Sequence, residues 1–162
     1  MEGSVKTLAL GIGNLLLTDE GVGVHVVRAL QKEPLPPDFV ALEVGTAFLD
    51  ALPEIEQADR IIIVDAMQGD GTPGTIYRVP FEDCARPEII ASMHGFDLSR
   101  VFLLAGRASP PEVVVIGVEP ARIDWGTELT PEVQKALPEV VSAVRMQLTA
   151  CSNVTPRPPV VS

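Results

Sequence analysis

The run Arg60-Ile61-Ile62-Ile63-Val64-Asp65-Ala66 sets the strongest limit on how this chain can fold. Four large β-branched residues in succession leave no polar face, so the strand they form is buried. KTLALGIG (6–13), FVALEVG (39–45), TIYRVP (75–80) and EVVVIGVEP (112–120) read as four further strands. Between them lie stretches of helical spacing. Val24, Val27, Ala29 and Leu30 give residues 21–32 a broad apolar face, and Pro34, Pro36 and Pro37 end it. AFLDALPEIEQAD (47–59) is helical but interrupted at Pro53, which predicts a kinked or split helix. FDLSRVFLLAG (96–106) reads as a helix ended by Gly106, whereas residues 81–92 read as neither state. Thr130 followed by Pro131 is a helix start, and that helix is predicted to run to about Ala150 with a bend at Pro138.

Strands alternating with helices predict an α/β fold. The expected form is a three-layer α/β/α sandwich with a five-stranded, mostly parallel sheet and helices on both faces. The 162 residues make one such domain, expected over 1–152, with the proline-rich stretch 153–162 as a flexible tail. The formal charge of −10 argues against a nucleic-acid partner. Two cysteines are too few for a disulfide framework or a zinc ribbon. No signal peptide and no membrane-length apolar run is read, so a cytoplasmic location is expected.

In a sheet of this kind the site lies beyond the carboxyl ends of the strands, which directs attention to Gly11–Glu20, Gly45, Thr46, Asp65 and Glu119. The first strand runs into GIGNLLLTDEG (11–21), a glycine turn that resembles a phosphate cradle. A dinucleotide fingerprint requires G-x-G-x-x-G, but counting from Gly11 gives G-I-G-N-L-L, and Gly21 and Gly23 come too late. Asp19 and Glu20 would repel an incoming phosphate. A P-loop, a G-x-S-x-G elbow and an H-E-x-x-H zinc motif are all absent. The acids around Cys84 argue against a thiolate nucleophile.

A carboxylate-rich rim and a histidine remain. Taken singly, each has a plain structural reading. Asp65 can cap the turn that follows it, Glu20 can sit at a helix N-terminus, and His94 can be a surface or capping residue. Taken together, Glu20, Asp65 and His94 form a set of oxygen and nitrogen ligands suited to a borderline divalent cation. His25 lies within the first helix and reads as a surface or packing residue.

The succession GIGNLLLTDEGVGV (11–24), VGTA (44–47), IIIVDA (61–66), SMH (92–94), IGVEP (116–120) and LTP (129–131) resembles the NiFe-hydrogenase maturation endopeptidases over residues 5–150. The resemblance implies a metal site made of Glu20, Asp65 and His94, with Glu20 and Asp65 also catalytic. It also implies a substrate, the hydrogenase large-subunit precursor, whose C-terminal extension is removed after nickel insertion. Nickel would arrive with the substrate, other divalent metals being able to substitute. Asn14, Asp19 and Thr46 would support the cleft, Asp19 through the turn or through a hydrogen bond behind a ligand. Where the family often has D-G-G-T, this chain has Glu43-Val44-Gly45-Thr46, and Gly95 follows His94. The bulk of Val44 predicts a differently shaped cleft wall. The competing readings are a non-enzymatic partner that binds nickel-bearing precursor without cutting it, and a Rossmann-like nucleotide-binding module.

Overall fold

A computed structural model describes residues 6–45, 48–80 and 111–150. The expected helix over 96–106, the undecided stretch 81–92 and the tail lie outside the described residues. β1 (Thr7–Ile12) leads through a 3₁₀ turn (Thr18–Gly21) into α1 (Val22–Gln31), and β2 (Phe39–Gly45) follows. A second 3₁₀ turn (Phe48–Ala51) opens α2 (Leu52–Gln57) before β3 (Arg60–Ala66). β4 (Ile76–Pro80), β5 (Glu112–Val118) and the long α3 (Pro131–Ala150) complete the described elements. The sheet order is β2-β1-β3-β5-β4, with β1 parallel to β2 and β3, β3 parallel to β5, and β4 antiparallel to β5.

Side chains alternate along each strand and so feed two cores. Ala9, Ile62, Val64 and Ile116 meet α1 and α3 through Val22, Val26, Val133 and Val140. Leu8, Leu10, Ile61 and Ile63 turn to the opposite face, where Ile55 and Ala58 from the α2 segment cover them. Helices on both faces make the three layers expected. All seven residues of β3 are buried, as its unbroken apolar run requires. Each large aliphatic side chain fully buried here contributes about 1.5–3 kcal/mol.

Pro53 resolves as a split, not a kink. The chain makes a 3₁₀ turn to Ala51 and restarts as α2, with Pro53 in the first helical turn where its missing N–H costs nothing. Arg60, buried at the start of β3, is held by α3. Its guanidinium donates to the backbone carbonyl of Gln147 and, at 2.9 Å, to Gln147 Oε1.

Two glycines set the depth at which α1 meets the sheet. A methyl group at Gly11 would overlap the carbonyl oxygen of Gly23, and one at Gly23 would overlap the carbonyl oxygens of Ile12 and Val64. The helix therefore packs backbone to backbone against the ends of β1 and β3. Alanine is favoured over glycine inside an ordinary helix by about 1 kcal/mol. Gly23→Ala is expected to act the other way here, lowering stability by about 1–3 kcal/mol in urea denaturation because the helix must lift off the sheet.

Candidate active site

The chain reverses its direction of progress across the sheet between β1 and β3. β1 passes through α1 to β2 on one side, whereas β3 passes to β4 and β5 on the other. The crevice outside their carboxyl ends is thus a topological switch point, the place where open α/β sheets bind ligands. Glu20 and Asp65 both lie at this carboxyl end of the sheet. Glu20 lies on the 3₁₀ turn after β1 and is half-buried. Asp65 is the first residue of β3 beyond the β1 ladder, which ends at Gly11 opposite Val64. It is fully buried. The 3₁₀ turn packs against β3, and the contact of Gly23 with the Val64 carbonyl holds the two segments together.

The loop that carries Glu20 is built in detail. Gly13 has φ of 129°, and a side chain there would overlap the Glu20 carbonyl oxygen. Asn14 Oδ1 accepts the Leu16 N–H at 2.9 Å, and the Asn14 carbonyl accepts the Leu17 N–H at 3.1 Å. Thr18 is held at φ 47°, a left-handed conformation that costs a threonine about 1–2 kcal/mol. Its hydroxyl offsets this by donating to the Arg122 carbonyl at 2.7 Å and accepting the Asp124 N–H at 3.1 Å.

Asp19 and Glu20 are adjacent but differ in task. Asp19 has no exposed surface and accepts four hydrogen bonds from the segment 121–130. The Ala121 and Arg122 N–H groups reach Oδ2 at 2.8 and 3.0 Å, the Thr130 N–H reaches Oδ1 at 2.8 Å, and the Thr130 hydroxyl donates to Oδ2 at 2.7 Å. The carboxylate is committed to tying the β1 loop to the start of α3. Sequence reasoning gave Asp19 two supporting roles, through its own turn or through a hydrogen bond behind a ligand, and did not identify this partner loop. The signal available was Thr130 standing immediately before Pro131.

Glu119, at the end of β5, is also committed to the backbone. Its carboxylate accepts the Gly69 N–H at 3.0 Å, and its carbonyl accepts the Gly74 N–H at 2.8 Å, fixing the loop after β3. Asp65 makes the local bond that its plain structural reading anticipates, Oδ1 accepting the Ala66 N–H at 2.7 Å. His94 and Thr46 lie outside the described residues. Among those described, no three His, Cys, Asp or Glu side chains are grouped to hold a metal ion.

Val44 corrects one expectation. It lies in β2, as the strand reading expected, but its side chain is buried in the core on the α2 side, so it does not form a cleft wall. The left-handed position that demands glycine is Gly45, with φ of 58°. Glu43 accepts a hydrogen bond from Arg28 Nε at 3.0 Å. His25 sits beside this pair. Burial pushes its imidazole below the ordinary value of 6.5, Arg28 adds to the lowering, and Glu43 opposes it.

The hydrogenase maturation protease family profile matches residues 24–147. The hydrogenase 2 maturation protease of Escherichia coli is 35% identical over 153 residues, spanning 87% of this chain and 92% of the relative. The maturating endopeptidase HybD from E. coli superposes with a TM-score of 0.77 at 28% identity, covering 91% of this chain and 94% of that one. HybD from Thermococcus kodakarensis, a hydrogenase maturation protease, gives 0.76 at 27% identity, with 88% and 99% covered.

Two outcomes test the assignments of Asp19 and His25. In Asp19→Asn an amide nitrogen faces donors that now meet an acceptor. Stability is expected to fall by about 1–3 kcal/mol, with faster amide exchange at Ala121, Arg122 and Thr130 and little change within β3. His25 is neutral in the fold at pH values where the unfolded chain already binds a proton. Its contribution to stability is therefore full above pH 6.5 and declines as pH falls through the lowered folded value. Chemical denaturation at pH 7.5 and 5.5 should show a loss in the native protein that is smaller in His25→Gln.

Proposed function

Because the chain belongs to the hydrogenase maturation protease family, we propose that it is an endopeptidase that removes the C-terminal extension of a NiFe-hydrogenase large-subunit precursor after nickel insertion. The observation that carries this reading is the pair of acids at the switch point: Glu20 half-buried on a rigid turn, and Asp65 buried at the end of the central strand. A glycine turn of this build ordinarily receives an anion. Carboxylates at its rim suit a cation.

Nickel enters as part of the substrate. Glu20, Asp65 and His94 serve as its recognition site, so that only a loaded precursor seats its C-terminal segment in the crevice. Carboxylate oxygens and one imidazole suit a borderline divalent ion and release it readily when the product departs. Water then adds across the scissile amide. Its oxygen bonds to the carbonyl carbon, a site carboxylate takes its proton, and that proton passes to the departing amine as the C–N bond breaks. Asn14 and Asp19 keep Glu20 in place through the loop bonds described above. Gly45, whose carbonyl accepts the Gly13 N–H at 3.1 Å, ties the end of β2 to the same loop, and Thr46 is assigned a supporting role by its place next in the sequence.

Mass spectrometry of a cognate precursor, nickel-loaded and nickel-free, tests this directly. Loss of a C-terminal peptide is expected only from the loaded form. Glu20→Gln, Asp65→Asn and His94→Ala should each slow cleavage by more than about a hundredfold, beyond the effect of groups that only orient a ligand. Full-rate cleavage by any one variant removes that residue from the site. An intact precursor that is nevertheless retained in a pull-down would reassign the protein as a non-enzymatic binding partner.

A further inference from the structure

The segment that Asp19 clamps presents the chain's single tryptophan to solvent. Trp125 is 79% exposed, and Leu16 and Ile123 are 53% and 38% exposed beside it. Monomeric proteins rarely leave an indole so open without a use for it. The presentation is also built. The Gly126 N–H donates to the Leu16 carbonyl at 2.9 Å, and the Gly126 carbonyl accepts the Thr18 N–H at 2.9 Å. The Trp125 N–H donates to Asp124 Oδ1 at 2.7 Å, and the Asp124 N–H to Thr18 Oγ1. Leu16 and Trp125 therefore stand on one doubly tied frame, and Leu16 precedes Glu20 by four residues on the same loop.

We propose that Leu16, Ile123 and Trp125 form an anchor that docks the body of the hydrogenase precursor, while the neighbouring crevice receives its C-terminal segment. This inference rests on the proposed function for the identity of the partner. The fitting surface is a folded polypeptide with an apolar recess for the indole, flanked by basic side chains. Basic character follows from the charge of this segment and of the chain: Asp124 precedes Trp125 and Glu128 follows it in sequence, against the one cation Arg122, and the whole chain carries −10. A second copy of the chain fits poorly. It would bring equal negative charge, and an aromatic anchor buries only about 150–250 Å², against about 800 Å² per partner in a stable interface. For the precursor, the crevice supplies the remaining area. An anchor on a frame already rigid orders little on binding, which favours affinity.

Because Trp125 is the single tryptophan, full-length protein labelled with 5-fluorotryptophan gives one ¹⁹F resonance, and its response to nickel-loaded and nickel-free precursor reads the anchor directly. The resonance is expected to shift or broaden with precursor. Trp125→Ala should raise KM for cleavage about tenfold or more with kcat within about twofold, Trp125→Phe should recover most of the loss, and the thermal midpoint should stay unchanged. An unmoved resonance with unchanged KM in Trp125→Ala overturns the anchor while leaving the protease assignment standing. A shift without any cleavage by the native protein upholds docking and overturns the protease assignment instead. A shift that depends on protein concentration alone, without precursor, assigns the patch to a second copy and overturns the proposal.

Discussion

The contact between the first turn of α1 and the ends of β1 and β3 governs the geometry of everything around the switch point. Gly11 and Gly23 leave no room for a side chain between helix and sheet, so backbone meets backbone. Dinucleotide-binding folds obtain the same closeness from a glycine placed sooner after the strand. Here residues 14–20 intervene, and the helix reaches the sheet only after a 3₁₀ turn. The insertion changes what the loop offers. Instead of bare N–H groups aimed at a phosphate, the loop carries two adjacent carboxylates and fastens one of them, Asp19, inward.

That division between neighbours is the main electrostatic device of the site. A buried carboxylate is tolerated when its oxygens are saturated by donors, and Asp19 meets this condition with three backbone N–H groups and a hydroxyl. Glu119, on the other side of β3, is held by a backbone donor too, the Gly69 N–H. Two of the acids gathered at the carboxyl ends of the strands are thus committed to holding loops. Glu20 and Asp65 lie at the same end of the sheet, one on the 3₁₀ turn and the other near the end of β3.

Much of the fold was legible because the strands announce themselves by composition. The unbroken apolar run of β3 and the glycine-terminated β1 admit few other states, and β2 matches its expected limits at Phe39 and Gly45. The start of α3 was legible from Thr130 and Pro131 alone. Long-range bonds were not. Nothing local in TDEG shows that Asp19 faces Thr130, or that Arg60 at the mouth of a buried strand reaches Gln147 on the last helix. Val44 misled because motif spacing alone does not show toward which face of its strand a side chain turns. Its burial on the α2 side decides that. The direction of β4 was equally hidden, since a five-residue strand carries no mark of which way it runs.

The Asp19–Thr130 clamp spans 111 residues of chain. Contacts of such separation form late in folding, because closing the loop costs entropy that nearer contacts do not. β1, α1 and β2 can assemble from the first third of the chain, but the frame around Glu20 is fastened only when the segment before α3 arrives. During synthesis that segment leaves the ribosome well after the first three elements. A chain stopped short of it would carry Glu20 on a loop that lacks the bonds by which Asp19 holds it in place, so the shape of that loop is set by a segment made long after the loop itself.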